Sequence, residues 1–239
     1  MLPKRLSEIF QIIPAGTEVA DIGSDHGYIP IELGKRGFPT PIATEISSGP
    51  YLQCLRNIER SQVQVDLRLG NGLDPICPGE VGMIIIAGMS GQTMKQILKE
   101  AGVKIYSFSS YLFQPMIGSH VLREFLFKKG LGITKEWVVE EDRKYYRYMT
   151  VITEKIGIPS HLYSAYPNIG VRLLLQIGPH LLLNTDIVVH RYLLSKLHSL
   201  QAIEMKLDRN KHRNRHHLLQ QEIDQWKQVI ACHTKLLKS

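Results

Sequence analysis

Residues 19–30 constrain the fold of this chain more than any other stretch. A short apolar run at 19–22 is followed by a polar turn that contains Gly23 and Gly27, and a helical pattern starts after the turn. This order predicts a strand, a tight loop and a helix. The two glycines have no Cβ atom, so the backbone can turn sharply there and a ligand can approach it closely.

Two acidic residues in this stretch restrict the ligand that it can bind. Asp21 ends the predicted strand and Asp25 lies in the loop, at the edge where open α/β sheets bind their ligands. The glycine spacing is neither a dinucleotide fingerprint nor a phosphate loop, and an anionic Asp25 repels a pyrophosphate. S-adenosylmethionine has no phosphate, and its sulfonium and ammonium groups suit two carboxylates. The D-x-G-x-x-x-G turn resembles the opening of class I methyltransferases; the alternative is an ordinary turn with a capping Ser or Asp.

Length and composition favour one sizeable core or one domain with an appendage. The 239 residues carry a formal net charge of +7, which favours a polyanionic partner only weakly. No apolar run is long enough to span a bilayer, and the N-terminus does not read as a secretory signal, so we expect a cytoplasmic protein without a membrane partner.

Cys54, Cys77 and Cys232 lie far apart, which predicts reduced thiols and no metal site.

The segments around this loop alternate between helical and strand patterns. An amphipathic helix is expected over 3–13, and a helix over 121–129 with Ser119 as its cap. Further strands are expected at 41–46, 63–69, 83–87, 111–115, 133–139 and 145–153, the last two joined as a hairpin. The pattern predicts an α/β fold with a doubly wound, Rossmann-like sheet of about seven strands and the antiparallel strand typical of methyltransferases.

The composition changes from residue 185. Apolar residues there form two helical stripes: Leu193, Leu197, Leu200, Ile203 and Leu207, then Leu219, Ile223, Trp226, Ile230, His233 and Leu237. The second stripe steps by four and three, which predicts a C-terminal antiparallel helical hairpin, a coiled coil, with His233 packed in its seam. We therefore expect a domain at 1–184 and the hairpin at 185–239, with the basic stretch 208–217 near the turn.

Six stretches in this order resemble one family. They are ADIGSDHGYIP, ATEISSGP, RLGNGLDPI, IIIAGMSGQTMKQIL, FQPMIGSHVLREFL and EEDRKYY. Together they resemble the bacterial tRNA (adenine-22-N1)-methyltransferases, the TrmK family, over essentially the whole chain. The resemblance implies S-adenosylmethionine as cofactor, tRNA as partner and methylation of N1 of adenine 22.

The predicted site residues follow from the loop and from the resemblance. Glu45 ends the second strand about 20 residues after the glycine turn, where a carboxylate accepts from ribose hydroxyls. The resemblance implies catalytic roles for Asp25 and His26. The predicted cofactor-binding residues are Asp21, Gly23, Ser24, Gly27, Glu45, Asn71, Gly72, Ala87, Gly88 and Met89; the last three end the fourth strand, where such enzymes line the pocket of the target base. The predicted RNA-binding residues are Lys4, Arg5, Arg209, Lys211, Arg213 and Arg215.

Three positions depart from the family pattern and leave alternatives open. Asn71 stands where the family usually has Asp, Ser90 replaces a glycine, and Met116 replaces an Asn. These departures are compatible with a non-enzymatic RNA-binding or assembly module on a degenerate fold. A small-molecule methyltransferase is a second alternative, which the basic hairpin disfavours, and a dehydrogenase is disfavoured by Asp25 and the missing third glycine. We expect a monomer or a weak homo-oligomer.

Overall fold

The chain forms two compact units, Met1–Ile156 and Gly157–Ser239. The computed structural model describes residues 2–157, 162, 166, 169–208 and 212–238. The boundary between these units, at 156–157, lies before the division predicted at 184–185. Segments before the predicted division pack within the second unit, where the Tyr166 hydroxyl donates to the Leu182 carbonyl at 2.8 Å and the Gln176 amide to the Glu222 carboxylate at 2.9 Å.

The first unit is a seven-stranded sheet between layers of helices. Its strands are β1 (Val19–Ile22), β2 (Ile42–Glu45), β3 (Asp66–Leu69), β4 (Met83–Ala87), β5 (Ser110–Gln114), β6 (Gly132–Glu141) and β7 (Lys144–Ile152). Its helices are α1 (Lys4–Ile12), α2 (Tyr28–Lys35), α3 (Ser48–Ser61), α4 (Gly91–Ala101), the 3-10 helix Gly102–Ser107 and α5 (Ser119–Lys129). The predicted N-terminal helix and the two-stranded hairpin are confirmed.

The order of the strands places a crevice at the carboxyl ends of β1 and β4. The order is β3-β2-β1-β4-β5-β7-β6, with β1 to β5 parallel and β7 antiparallel to both its neighbours. From β1 the chain first adds strands on one side and then, with β4, on the other. Ligands of open α/β sheets bind at such a reversal. The predicted Rossmann-like methyltransferase fold is confirmed.

The central strands are buried on both faces, which explains their continuous apolar sequence. In β4, Ile84 and Ile86 pack in the cluster that contains Leu98 of α4, whereas Ile85 packs in the opposite cluster with Leu33 of α2. Burial of each such side chain contributes about 1.5–3 kcal/mol. The two helix layers therefore pack on both faces of β1 and β4 and fix the positions of their carboxyl ends.

A buried ion pair joins α5 to the hairpin of β6 and β7. Arg123 Nε donates to Glu136 Oε1 at 2.6 Å, and both side chains are almost fully buried. The Ser119 hydroxyl accepts from Arg123 Nη1 at 3.0 Å and from Arg147 Nη1 at 2.6 Å. The prediction that Ser119 caps the helix is thus wrong: α5 begins at Ser119 itself, after Gly118 in the left-handed region at φ +66°.

The second unit contains α6 (Val171–Ile177), α7 (Pro179–Leu182), α8 (Ile187–Lys206) and α9 (Arg213–Leu236). Helices α8 and α9 run antiparallel. Glu204 at the end of α8 lies 3.4 Å from His216 at the start of α9, and at the other end the Nδ1 atoms of His190 and His233 lie 3.2 Å apart. His233 is fully buried, its Nε2 lies 2.9 Å from the Asn184 carbonyl, and burial lowers its pKa. It is the packed core histidine that the sequence predicts. A continuous coiled-coil seam stays a prediction.

The buried ion pair generates a test of the fold. Glu136→Ala leaves Arg123 buried without its carboxylate, so we expect the free energy of unfolding to fall by about 3–5 kcal/mol. The control Glu32→Ala removes the more exposed ion pair between Arg36 and Glu32, which are 2.8 Å apart. It should change the free energy of unfolding by less than about 1 kcal/mol. Urea unfolding, followed by Trp137 fluorescence in a Trp226→Phe background, measures the free energy of unfolding of both variants. Equal urea midpoints for Glu136→Ala and Glu32→Ala would contradict a stabilising role for the buried ion pair.

Candidate active site

The loop after β1 is held in place by its own backbone. The N–H groups of Gly23 and Ser24 both donate to the Thr44 carbonyl of β2, at 2.9 and 3.1 Å. Gly23 and Gly27 each have φ +72°, a conformation that disfavours other residues. A Cβ atom on Gly27 would lie 2.8 Å from Cys54 Sγ, so the loop also presses closely against α3. The turn predicted from the glycine spacing is therefore a rigid, left-handed loop.

Two buried carboxylates lie at the ends of β1 and β2. Asp21 and Glu45 are only 3% and 5% exposed. The Ser24 hydroxyl donates to Asp21 Oδ2 at 2.5 Å, and the Asp25 N–H donates to Glu45 Oε1. Among the described residues, no Lys or Arg forms an ion pair with Asp21 or Glu45. The crevice therefore holds two acidic side chains in a region shielded from water.

Burial of these carboxylates changes the acidity of this site. Burial raises the pKa of Asp21 to about 7; the charge of Glu45 adds to the rise, and the Ser24 hydrogen bond opposes it. Burial and the nearby carboxylates, Asp21 first, raise the pKa of the Cys54 thiol to about 12. Cys54 is thus a protonated thiol, and all three cysteines are free.

These features fit S-adenosylmethionine and not a nucleotide phosphate. Buried acids repel a pyrophosphate, whereas a sulfonium and an ammonium relieve their repulsion. The positive φ angles of Gly23 and Gly27 let the loop turn tightly beside the two carboxylates. The residues present therefore fit the predicted cofactor.

The predicted catalytic residues lie together on the solvent side of the loop. Asp25, at φ +54°, and His26 are exposed, with Asp25 Oδ2 3.6 Å from His26 Nε2. The His26 carbonyl accepts from Asn57 Nδ2 of α3 at 2.9 Å, and the His26 ring centroid is 5.4 Å from that of Tyr28. Sequence reasoning missed Asn57 as the anchor of this loop because its contact spans 31 residues of chain.

The other side of the crevice consists of two loops, residues 88–91 after β4 and 115–118 after β5, which we call the mouth loops. The Gly88 N–H donates to Gln114 Oε1 at 3.1 Å. Across the loops, Met116 N donates to the Met89 carbonyl at 2.9 Å and Gly91 N to the Ile117 carbonyl at 2.8 Å. Buried Gln114 is a second residue that the sequence analysis did not single out.

Two glycines are needed where these parts meet. A Cβ on Gly91 would lie 2.2 Å from the Gly118 carbonyl oxygen, which is backbone and cannot move aside easily. A Cβ on Gly23 would lie 2.2 Å from Met89 Cε, the flexible end of a side chain. Met89 therefore extends from the mouth loops to the glycine loop, so the structure brings together the predicted residues of the first and fourth strands.

Two departures from the family pattern have structural roles. The Ser90 hydroxyl accepts from Thr93 N at 3.0 Å and caps α4. Asn71 Nδ2 donates to Glu100 Oε2 of α4 at 3.0 Å, so its side chain is engaged with that helix, while Gly72 turns at φ +51°. A role for Asn71 and Gly72 at the adenine ring stays a prediction.

The predicted RNA-binding residues fall in both units. Lys4 is exposed, and Arg5 Nε lies 3.6 Å from Glu141 Oε2 at the end of β6. Arg213 and Arg215 are exposed in the first turn of α9. Arg209 and Lys211 lie outside the described residues. The part of the chain that the structure describes contains no cluster of three or more His, Cys, Asp or Glu side chains suited to a metal ion, and none of its helices has the length and apolarity to cross a membrane.

The fold and the site define a class I S-adenosylmethionine-dependent methyltransferase. Residues 2–149 match the family model of the methyltransferase domain. The tRNA (adenine(22)-N(1))-methyltransferase of Bacillus subtilis (strain 168) is 33% identical over 205 residues, which cover 84% of each chain. The chain belongs to the family of tRNA (adenine-22-N1)-methyltransferases.

Solved structures agree with this assignment. The crystal structure of the B. subtilis m1A22 tRNA methyltransferase TrmK superimposes with a TM-score of 0.80 at 29% identity, covering 96% of this chain and 99% of that one. A Streptococcus pneumoniae protein assigned as a tRNA (m1A22) methyltransferase, solved in complex with S-adenosyl-L-methionine, has a TM-score of 0.81 at 27% identity and coverages of 96% and 100%.

The raised pKa of Asp21 predicts a pH-dependent stability. Between its ordinary pKa of 3.8 and about 7, the folded protein holds a proton that the unfolded chain has lost. The stability that this proton contributes is complete below pH 3.8 and is lost as the pH rises through 7. Asp21→Asn cannot ionise, so without cofactor it should be more stable than wild type at pH 8, by up to about 4 kcal/mol.

Thermal unfolding from pH 4 to 8 measures this difference. The advantage of Asp21→Asn should shrink toward pH 4, and the variant should bind S-adenosylmethionine more weakly at every pH. Asp74→Asn, which changes an exposed carboxylate, is the control and should follow wild type. Parallel curves for Asp21→Asn and wild type would rule out a buried, proton-holding Asp21.

Proposed function

We propose that this chain transfers the methyl group of S-adenosylmethionine to N1 of adenine 22 in tRNA. The observation that carries the proposal is the pair of buried carboxylates, Asp21 and Glu45, beside a left-handed glycine loop at the carboxyl edge of the sheet. Membership of the family supplies the substrate, and the relative from S. pneumoniae binds the same cofactor.

Each cofactor-binding residue has a distinct part. Bound S-adenosylmethionine supplies an electrophilic methyl group on a sulfonium. Asp21, with Ser24 fixing its carboxylate, stabilises the positive charge of the methionine portion, and Gly23 and Gly27 let the loop turn tightly beside it. Glu45 has two acceptor oxygens; one already binds the Asp25 N–H, and the group can also accept from the ribose hydroxyls.

The target nitrogen needs no general base. Adenine N1 has a free lone pair at neutral pH, so the protein has to align it and to stabilise the positive charge that develops on the ring. The exposed Asp25 carboxylate can supply that stabilisation at the mouth of the crevice, with His26 beside it. Alignment by the glycine loop and the mouth loops supplies much of the remaining acceleration.

Recognition of tRNA depends on shape and phosphate contacts. N1 lies on the Watson–Crick edge, so the nucleotide has to leave its pair or its stack to be reached. Lys4 at the start of α1 in the first unit presents positive charge to the RNA backbone, and so do Arg213 and Arg215 of α9 in the second unit. Arg5 is the weaker candidate because Glu141 already neutralises it.

The first experiment tests the reaction and the role of Asp25. Wild type incubated with labelled S-adenosylmethionine and unmodified tRNA should form 1-methyladenosine, identified after nuclease digestion. Asp25→Ala should lower kcat by about 100-fold without changing the Kd of S-adenosylmethionine, because it removes charge stabilisation. Glu18→Ala, an exposed acid before β1 at the opposite edge, is the control. Loss of cofactor affinity in Asp25→Ala would instead make it a cofactor ligand, and no modified nucleoside with wild type would refute the function.

A second experiment tests the RNA-binding face of α9. Arg213→Glu with Arg215→Glu should weaken tRNA binding and reduce the slope of log K against log salt by about 0.9 for each phosphate that the variant no longer neutralises. Lys227→Glu, on the same helix and paired with Asp224 at 3.2 Å, is the matched control. Filter binding over a series of salt concentrations measures the slopes; slopes equal to wild type in the double variant would exclude this face.

A further inference from the structure

Two neighbouring apolar side chains are exposed at the mouth of the crevice. Met116 is 48% exposed and Ile117 is 68% exposed, at the tip of the second mouth loop. Scattered apolar residues are normal on a protein surface. These two, however, follow Gln114 and Pro115 in the loop that is bonded to Gly88 and Met89, where the sequence predicts the pocket of the target base.

The loop that carries them is held on both sides. Its backbone is bonded to the loop after β4 through Met116 N and the Ile117 carbonyl. The Gly118 carbonyl lies so close to Gly91 that no Cβ fits between them. Ser119, the next residue, is held by the buried guanidinium of Arg123 and by Arg147. Ile117 is therefore an exposed apolar side chain on a fixed support.

A rigid apolar tip beside a base-binding crevice suits one task in this reaction. An enzyme that reaches a Watson–Crick edge has to extrude the nucleotide, which costs stacking energy. Proteins that open a base stack insert apolar side chains such as Ile and Met between neighbouring bases. The segment 115–118, Pro-Met-Ile-Gly, has no charged side chain that such insertion would desolvate.

We propose that Ile117, flanked by Met116, is a wedge that enters the tRNA base stack and occupies the space that the target adenine vacates. This inference rests on the proposed function and extends it to how the substrate is opened. It also gives a role to Met116, the departure from the family pattern that the cofactor site does not explain. Gln114 Nε2 lies 3.6 Å from Met116 Sδ, which keeps the flanking side chain near the crevice.

A fluorescent substrate tests the wedge directly. A tRNA transcript with 2-aminopurine at position 22 should brighten when wild type binds it, because the base leaves its stack. Ile117→Ala should reduce that rise and lower kcat on the adenine transcript about tenfold. Ile117→Leu should retain both, and the Kd of S-adenosylmethionine, measured by calorimetry, should be the same in all variants.

The matched control is Val103→Ala. Val103 is 86% exposed in the 3-10 helix that leads to the amino end of β5, at the opposite edge of the sheet, so this change removes a similar apolar surface away from the crevice. It should behave as wild type in both measurements. A difference between Ile117→Ala and Val103→Ala therefore reports on position and not on a general reduction of hydrophobic surface.

A pre-opened substrate separates a wedge from a structural residue. If Ile117 opens the stack, a transcript with an abasic site opposite adenine 22 should restore the kcat of Ile117→Ala toward wild type. Ile117→Ala with wild-type fluorescence and kcat, or a fall in kcat that the abasic transcript does not restore, would overturn the inference. A fall in cofactor affinity would also overturn it. Absence of 1-methyladenosine with wild type would refute the proposed function itself.

Discussion

The burial of Asp21 and Glu45, without a Lys or Arg ion pair from the described residues, is the constraint on which the site depends. Burying a carboxylate is costly unless it is paired or hydrogen-bonded, and this fold supplies only part of the compensation. Ser24 donates to Asp21, and the backbone of Asp25 donates to Glu45. The remaining unfavourable energy shows as the pKa of Asp21 near 7. A cationic ligand would lower this energy, so the free protein is less stable at the place where the proposed cofactor would bind.

The two sides of the crevice have separate supports, which meet at one side chain. The glycine loop is bonded to Thr44 and to α3, on the side of β2. The mouth loops are bonded to each other and, through Ser119, to the arginines of α5 and β7. Met89 reaches from the second support to Gly23 of the first. Because its thioether is flexible, this contact can adapt to a ligand while both backbones stay fixed.

The sequence predicted what local pattern and sheet topology determine. Apolar runs that end in Asp21, Glu45 and Ala87 located three strand ends, and the rule that parallel strands share a carboxyl edge brought them into one crevice. Contacts between distant segments could not be predicted in this way. Ser119 fits the pattern of a helix cap in the sequence, but its hydroxyl accepts from Arg147, 28 residues further on. The unit boundary at residues 156–157 likewise depends on tertiary packing, since Tyr166 and Gln176 bond to partners that sequence spacing does not reveal.

The structure also decides how much the serine in Gly88-Met89-Ser90-Gly91 matters. Gly88 needs its glycine because φ is +78°, and Gly91 needs its own because Gly118 leaves no room for a Cβ atom. Position 90 has φ −72° and ψ 151°, which any residue adopts, and a hydroxyl there caps α4. The turn therefore keeps glycine at the two positions where backbone geometry demands it. A serine at position 90 caps the helix and is compatible with the backbone of the mouth loop, so this departure gives no support to a degenerate, inactive site.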